Sequence, residues 1–176
     1  IALRLASEGC NIAFTDLAIN EAFTATESEI AAYGVKVKGY ASNAANYEET
    51  QRVVNEIATE FGRIDVLVNN AGNFVPGSVH NEPDGSLETM INTNLYSAYH
   101  LTRAIVPNMM AAKSGSVFNI CSIASLQAYA NGGAYSISKF ALLGFSKNLR
   151  EEMKPHNIKV CAIMPGAVLT DSWGDY

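Results

Sequence analysis

The chain has 176 residues, of which 48% are hydrophobic and 16% are charged, and its formal net charge is −5. This length and composition are typical of one globular domain with a substantial core. The twelve Lys and Arg residues are scattered without a basic cluster, which argues against a nucleic-acid partner. Since no run of about eighteen apolar residues is present, the sequence predicts no membrane span and no membrane partner.

The three cysteines, Cys10, Cys121 and Cys161, follow neither a metal-ligand nor a disulfide pattern. Cys121 and Cys161 lie in strand-like runs, so we expect both to be small buried thiols. An odd, unpatterned cysteine count favours a reducing compartment, and we expect a cytoplasmic protein. No histidine has a partner at metal-ligand spacing, so no metal site is predicted.

Strand-like apolar runs alternate with amphipathic segments along the chain. The runs are 10–16, 35–41, 64–70, 115–121 and 157–164, and the helical segments are roughly 20–33, 46–62, 86–112 and 133–154. Several runs are almost continuously apolar, as strands buried on both faces must be. The alternation predicts right-handed crossovers and a parallel sheet with helices on both faces. The segment 73–88 is rich in Gly, Pro, Asn and Asp and is predicted to be a loop, either beside a ligand pocket or a plain connector.

Small or polar residues follow each predicted strand. In doubly wound sheets, ligands bind outside the carboxyl ends of the strands. The residues at those ends are Asp16, Ser42 with Asn43, the Asn-Asn-Ala-Gly run at 69–72, Ser122, and Pro165 with Gly166. They predict a ligand cleft along one edge of the sheet.

Asp16 ends the first predicted strand and bears on the choice of cofactor. A carboxylate there can accept hydrogen bonds from both ribose hydroxyls of an adenosine, and it repels a 2′-phosphate. Asp16 therefore favours NAD(H), with NADP(H) as the alternative, although a turn-starting or helix-capping Asp fits the position as well. After a later strand, Asn70, Ala71 and Gly72 leave room for a ligand to approach the backbone.

Tyr135 and Lys139 lie one helical turn apart, so their side chains share one face of the predicted helix. A phenol is a poor proton-transfer group at neutral pH. A nearby ammonium stabilises the phenolate and makes tyrosine a usable acid or base. Such pairs also occur by chance as structural contacts. Here the pair follows a strand and Ser122, whose hydroxyl can hydrogen-bond a carbonyl oxygen, and this order favours catalysis.

Five motifs in this order resemble the short-chain dehydrogenase/reductase family of classical type. They are NNAG at 69–72, Asn94 in INTNLYSA, Ser122 in NICSIAS, YSISK at 135–139 and MPGAVLT at 164–170. Ser122 precedes Tyr135 by thirteen positions, as the family has it. The resemblance covers essentially the whole chain and implies one domain over 1–176, with a three-layer α/β/α Rossmann-like fold around a doubly wound parallel sheet.

The resemblance implies a role for each matching residue. Tyr135 is the catalytic acid/base, Ser122 orients the carbonyl oxygen, and Lys139 binds the nicotinamide ribose and assists Tyr135. Asn94 kinks its helix and holds a water in a proton relay from Lys139. The other implied cofactor contacts are Asn43 and Ala44 beside the adenine, Asn70 at the adenosine ribose, the adjacent Ala71 and Gly72, and Pro165, Gly166, Val168 and Thr170 at the nicotinamide.

The resemblance implies hydride transfer between a nicotinamide cofactor and a carbonyl or secondary alcohol. The segment 1–72 is similar to bacterial 3-oxoacyl-(acyl-carrier-protein) reductases of fatty acid biosynthesis, whereas 149–173 looks more like generic or sepiapterin-reductase-like members. We therefore expect reduction of a 3-oxoacyl thioester, free or carrier-bound, with a small ketone, sugar or polyol as the alternative. Aromatic residues on the two long helices, which form dimer faces in the family, imply a homodimer or homotetramer.

Two family features have no counterpart in the sequence. Ile1 aligns just after the last glycine of the family's Gly-rich pyrophosphate turn, and the sequence ends at Tyr176, before the family's last strand. We therefore expect a chain truncated at both ends, with the first and last strands of the sheet missing. A non-catalytic Rossmann-like fragment is the alternative to an active enzyme.

Overall fold

The computed structural model describes residues 1–168. The chain divides into two compact units, the first from Ile1 to Arg63 and the second from Ile64 onward. Over the described residues, no helix is both long enough and apolar enough to cross a membrane.

The first unit is a two-stranded parallel sheet with three helices. Strand β1 (Ile12–Asp16) pairs with β2 (Val37–Ala41), so that Asp16 lies opposite Ala41 at the carboxyl end. The helices are α1 (Ala2–Ser7), α2 (Glu21–Ala31) and α3 (Tyr47–Phe61). Asn20 and Asn46 begin α2 and α3, and each side-chain oxygen accepts a backbone N–H of the first turn.

The second unit is built on a three-stranded parallel sheet in the order β3-β4-β5. The strands are β3 (Val66–Asn69), β4 (Gly115–Ile120) and β5 (Ile158–Ile163). The helices are α4 (Ser86–Ile91), α5 (Ser97–Ala112) and α6 (Gly133–Met153). A π-helical turn (Asn92–Tyr96) joins α4 to α5, and short 3₁₀ turns follow β4 (Ile123–Ser125) and α6 (Lys154–His156).

The alternation of parallel strands and helices confirms the predicted Rossmann-like α/β class. Every strand lies inside its predicted apolar run, because continuous apolar sequence is what a strand covered on both faces requires. The predicted helical segment over 86–112 begins at Ser86 as expected, but the π turn interrupts it. The predicted loop over 73–88 ends at Gly85, the residue before α4.

In the second unit, α5 packs against β3 and β4, and α6 packs against β5. Ala98, Cys121, Leu142 and Leu143 form a buried cluster. Cys121 is buried as predicted, whereas Cys161 is only partly buried. Cys161 alternates along β5 with the buried Ile158 and Val160, so its side chain lies on the opposite face of that strand.

Candidate active site

The carboxyl ends of β3, β4 and β5 meet at one edge of their sheet, because the three strands are parallel. Ser122 follows β4, and Pro165 follows β5. The two segments are joined by backbone hydrogen bonds, from Cys121 N to Ile163 O at 2.8 Å and from Ile123 N to Pro165 O at 3.0 Å. Ser122 and Pro165, which the sequence placed near one ligand, are therefore brought to neighbouring chain segments.

Ser122 is held by a reciprocal pair of hydrogen bonds at the start of the 3₁₀ turn. Its Oγ accepts from Ala124 N at 3.1 Å, and its own N–H donates to Ser125 Oγ at 3.2 Å. This capping box fixes the serine side chain while leaving the hydroxyl hydrogen available to a ligand. The half-buried Ser122 can therefore donate a hydrogen bond to a carbonyl oxygen.

Helix α6 carries Tyr135 and Lys139 on one face. Lys139 is only 5% exposed, and its Nζ donates a 2.9 Å hydrogen bond to the backbone oxygen of Ile120 at the end of β4. The same Nζ lies 5.8 Å from the centre of the Tyr135 ring. Burial lowers the pKa of Lys139, because desolvation penalises the ammonium form. The half-buried Tyr135 also meets Phe74 edge to face, with ring centres 4.8 Å apart.

Asn94 lies at the centre of the π turn and is fully buried. Its Oδ1 accepts from Asn73 N at 2.7 Å, and its Nδ2 donates to Asn73 O at 3.0 Å and to Ser138 Oγ at 2.9 Å. Ser138 Oγ in turn donates to the backbone oxygen of Tyr135 at 2.7 Å. π turns are frequent at functional sites. Here the turn inserts a buried amide that links the segment after β3 to α6.

Gly72 completes this cluster. A Cβ atom built on Gly72 would lie 3.3 Å from Asn94 Oδ1 and 3.4 Å from Lys139 Nζ, so the backbone of the NNAG run passes directly beside both side chains. Asn70, Ala71 and Gly72 are exposed at the end of β3. The structure therefore brings together four predicted site residues from three parts of the fold: Gly72 after β3, Asn94 in the π turn, and Tyr135 and Lys139 on α6.

The residues of the first unit lie at the carboxyl edge of its own sheet. Asp16 is exposed, and one carboxylate oxygen accepts from Leu17 N at 2.6 Å. Ser42 N donates to Asp16 O at 2.8 Å, which joins the ends of β1 and β2. Asn43 and Ala44 follow in the next turn, where Asn43 Oδ1 accepts from Ala45 N at 3.0 Å. Asp16, Asn43 and Ala44 thus share one edge.

The remaining predicted positions follow β5. Pro165, Gly166 and Val168 lie in irregular structure after the strand, and Val168 is 55% exposed. Thr170 lies outside the described residues. Within residues 1–168, no group of three or more His, Cys, Asp or Glu side chains could hold a metal ion.

A buried polar network lies beneath the site and was not predicted from the sequence. Asn69 and Asn119 are paired across β3 and β4, and Asn69 Nδ2 donates to Asn119 Oδ1 at 2.7 Å. Asn119 Nδ2 donates to Ser146 Oγ at 2.8 Å, and Ser146 Oγ donates to Leu142 O at 2.7 Å within α6. The available signal was an asparagine inside an otherwise apolar strand, since a buried amide requires partners.

A cavity of about 220 Å³ beside the start of α6 was also not predicted from the sequence. The cavity is lined by Ala134, the residue before Tyr135, and by Met90 of α4. The other walls come from the segment after β3 and the first turns of α4, namely Val75, Pro76, residues 82–86 and Thr89. The cavity therefore lies between the segment after β3, α4 and the first turn of α6.

The family model described as short chain dehydrogenase matches residues 1–176 of this chain. A 3-oxoacyl-[acyl-carrier-protein] reductase of Staphylococcus epidermidis is 30% identical over 171 residues, which are 97% of this chain and 70% of that protein. A 3-ketodihydrosphingosine reductase of Bacteroides thetaiotaomicron is 35% identical over 131 residues, which are 74% of this chain and 49% of that protein.

Solved structures give the same fold. An NAD⁺-bound xylitol dehydrogenase has a TM-score of 0.90 at 31% identity, covering 94% of this chain and 64% of its own. A metagenomic short-chain oxidoreductase in complex with NADP has a TM-score of 0.86 at 33% identity, covering 99% of this chain and 77% of its own. This chain thus spans slightly less than two thirds of the xylitol dehydrogenase. The relatives differ in both substrate and bound cofactor.

Proposed function

The chain belongs to the short-chain dehydrogenase family of oxidoreductases, and from this premise we propose that it interconverts a carbonyl and a secondary alcohol with a nicotinamide dinucleotide. The observation that carries the proposal is the buried Lys139 ammonium beside Tyr135 at the end of β4. A cation is rarely buried without a function or a paired charge. Here its hydrogen-bond partner is a backbone oxygen, and its aromatic neighbour is the proposed acid.

The residues present fit a nicotinamide cofactor. Because Gly72 has no side chain, the backbone of the NNAG run can pass close to Lys139, and the exposed Asp16 carboxylate can accept hydrogen bonds from ribose hydroxyls. When bound, the nicotinamide ring supplies or accepts the hydride. We assign its ribose to Tyr135 and Lys139, and the remaining contacts to Asp16, Asn43, Ala44, Asn70, Ala71, Gly72, Pro165, Gly166, Val168 and Thr170.

The chain's own residues handle the proton. In the reducing direction Tyr135 donates its hydroxyl proton to the carbonyl oxygen, and Ser122 Oγ donates a hydrogen bond to the same oxygen. The Lys139 ammonium stabilises the phenolate that remains on Tyr135. Both Nδ2 hydrogens of Asn94 are donated, to Asn73 O and Ser138 Oγ, so a relay water at this turn would have to donate to an oxygen of Asn94.

For the substrate we propose a 3-oxoacyl thioester, free or bound to an acyl carrier. The support is apolar surface between Ser122 and Tyr135, where Ile123, Leu126 and Tyr129 are 48%, 54% and 46% exposed. Such side chains suit an acyl chain better than a polyol. The alternative is a small ketone, sugar or polyol, which the names of the xylitol dehydrogenase and of a 33% identical diacetyl reductase of Staphylococcus epidermidis support.

Asp16 leads us to propose a preference for NAD(H), with NADP(H) as the alternative. We also propose a cytoplasmic enzyme that assembles as a homodimer or homotetramer. The support for assembly is the aromatic face of the π turn and α5, where Tyr96 and Tyr99 are 43% and 38% exposed and Phe145 of α6 packs on Tyr99.

The test follows the near-ultraviolet absorbance of NADH as the protein meets a short 3-oxoacyl thioester, diacetyl or xylulose. Tyr135→Phe should abolish turnover, because it removes the hydroxyl group that donates the proton. The NADH dissociation constant should stay nearly unchanged, because Lys139 and the other assigned cofactor contacts remain. Tyr33→Phe, at an exposed tyrosine after α2, is the matched control and should behave as the parent.

Each outcome is informative. Equal turnover in Tyr135→Phe contradicts the acid/base role, whereas turnover only with diacetyl or xylulose selects the alternative substrate class. A parent protein that binds neither NADH nor NADPH, and turns over none of the three substrates with either, contradicts the proposed activity and favours a non-catalytic fragment.

A further inference from the structure

The segment after β3 is fastened to the start of α6 by three hydrogen bonds. Gly77 N donates to Asn131 O at 3.1 Å, and Ser78 Oγ donates to Asn131 Oδ1 at 2.7 Å. Glu82 Oε1 accepts from Ala134 N at 2.8 Å. Residues about fifty positions apart in sequence thus lie in direct contact immediately before Tyr135.

The contact is close enough to exclude side chains on both sides. A Cβ atom on Gly77 would lie 2.5 Å from Glu82 Cγ, and one on Gly133 would overlap Glu82 Oε1 and approach Gly77 O to 2.5 Å. Gly133 also has a φ of +34°, which side chains rarely adopt. The absence of side chains at both glycines therefore allows the Glu82 segment to pack closely against the start of α6.

Helix α6 lacks a cap of its own. Its N-cap residue is Gly132, which has no side chain to accept a first-turn N–H. The Glu82 carboxylate acts as the cap instead, because it accepts the hydrogen bond of Ala134 N–H. An acceptor at this point prevents fraying of the first turn, and a negative charge there is favourable to the helix dipole.

Tyr135 is the third residue of this 21-residue helix and lies in the capped turn. We infer that Glu82 is a positioning residue, which holds the first turn of α6 and so places the Tyr135 hydroxyl for proton transfer. The inference rests on the proposed function of Tyr135. Small displacements of a reacting group from its productive position lower the rate steeply, so a cap at this turn acts on catalysis as well as on stability.

The experiment compares Glu82→Ala, which removes the acceptor, with Glu82→Gln, which keeps an acceptor oxygen. Glu88→Ala, at an exposed first-turn residue of α4, is the matched control. Tyrosines are replaced by 3-fluorotyrosine, and the ¹⁹F resonance of Tyr135 is assigned from its disappearance in Tyr135→Phe. This resonance reports the surroundings of the Tyr135 ring whether or not a substrate is turned over.

We expect Glu82→Ala to shift or broaden the Tyr135 resonance, while Glu82→Gln and Glu88→Ala leave it in place. On the substrate that the parent uses, Glu82→Ala should lower kcat about tenfold or more with the NADH dissociation constant unchanged, and Glu82→Gln should restore most of kcat. A purely structural cap would lower the melting temperature but leave both the resonance and the kcat of the folded protein unchanged.

The two proposals fail in different ways. An unmoved Tyr135 resonance in Glu82→Ala overturns the positioning role, whatever the activity of the parent. A resonance that moves in a protein with no turnover of any tested substrate leaves Glu82 holding Tyr135 and overturns the proposed oxidoreductase activity instead.

Discussion

Asn94 of the π turn donates a 2.9 Å hydrogen bond to Ser138 Oγ, and that hydroxyl donates onward to the backbone oxygen of Tyr135 at 2.7 Å. The chain of bonds connects a buried amide on one helical segment to the first turns of another. Asn94 Oδ1 also holds Asn73, just after the NNAG run. One side chain therefore links the end of β3 to the Tyr-bearing helix.

Replacing Asn94 by Ala should destabilise the fold and disturb the site together. The change leaves both backbone groups of Asn73 and the Ser138 hydroxyl without their buried partner, so we expect a loss of about 2–4 kcal/mol in the free energy of unfolding, measured by urea denaturation. Asn92→Ala, in the same π turn but exposed, should change stability by less than about 0.5 kcal/mol. Equal effects of the two substitutions would show that the Asn94 bonds are not stabilising.

The buried Lys139 predicts a pH-dependent stability. Its folded pKa lies below the ordinary value of 10.5, so between the two values the unfolded chain binds more protons and rising pH favours the folded state. The cost of the buried cation is full below the folded pKa and is relieved as the pH rises from the folded pKa towards 10.5.

Lys139→Met removes this titration. We expect the parent to gain stability relative to Lys139→Met as the pH rises from neutral toward 10.5, measured by urea denaturation across that range. Lys147→Met, at an exposed position of α6, is the control and should show a constant difference from the parent. If the stability difference between the parent and Lys139→Met is also constant with pH, burial does not destabilise the Lys139 ammonium.

Most of the fold follows from local sequence. Each strand lies within an apolar run, and α6 fits its predicted segment. Both could be predicted because the spacing of apolar residues along an element reflects which of its faces are buried. The π turn at Asn92–Tyr96 could not be predicted in the same way. The one extra residue of a π turn leaves the amphipathic pattern of the flanking helices nearly intact. The turn is stabilised by the buried Asn94 amide, whose hydrogen-bond partners lie in distant segments.

The candidate site divides along the same line. Tyr135 and Lys139 were accessible to sequence reasoning because they lie one turn apart on one helix. The role of Glu82 could not be predicted, since its partner Ala134 is 52 positions away and no sequence pattern pairs the two residues. Asn119 offered a weak signal, because a polar residue within an apolar strand demands a partner, but the sequence does not say which one.

The network at Asn119 should be cooperative. Asn119→Ala leaves the amide of Asn69 and the hydroxyl of Ser146 short of a partner in the core, and we expect a loss of about 2–4 kcal/mol in unfolding free energy. The control is Asn108→Ala, at an exposed position of α5, which should cost less than about 0.5 kcal/mol.

A double-mutant cycle separates the network from simple loss of packing. Asn119→Ala and Ser146→Ala together should cost less than the sum of the two single changes, with a coupling of about 0.5–3 kcal/mol. Strict additivity would show that the 2.8 Å contact between the two side chains carries no energy of its own.

The Asp16 carboxylate predicts which of the two nicotinamide cofactors the protein prefers. One of its oxygens accepts from Leu17 N, and the carboxylate is exposed at the carboxyl end of β1, where it would meet a ribose and repel a 2′-phosphate. We expect the parent to bind NADH more tightly than NADPH. Asp16→Ala combined with Leu17→Arg removes the repulsion and adds a phosphate partner, so the ratio of the two dissociation constants should move about tenfold or more toward NADPH. Nucleotide fluorescence titration measures both constants, and Glu21→Ala, at the exposed start of α2, should leave the ratio unchanged. A parent that already prefers NADPH would assign Asp16 to the turn after β1, and the 2′-phosphate would then be recognised by other residues.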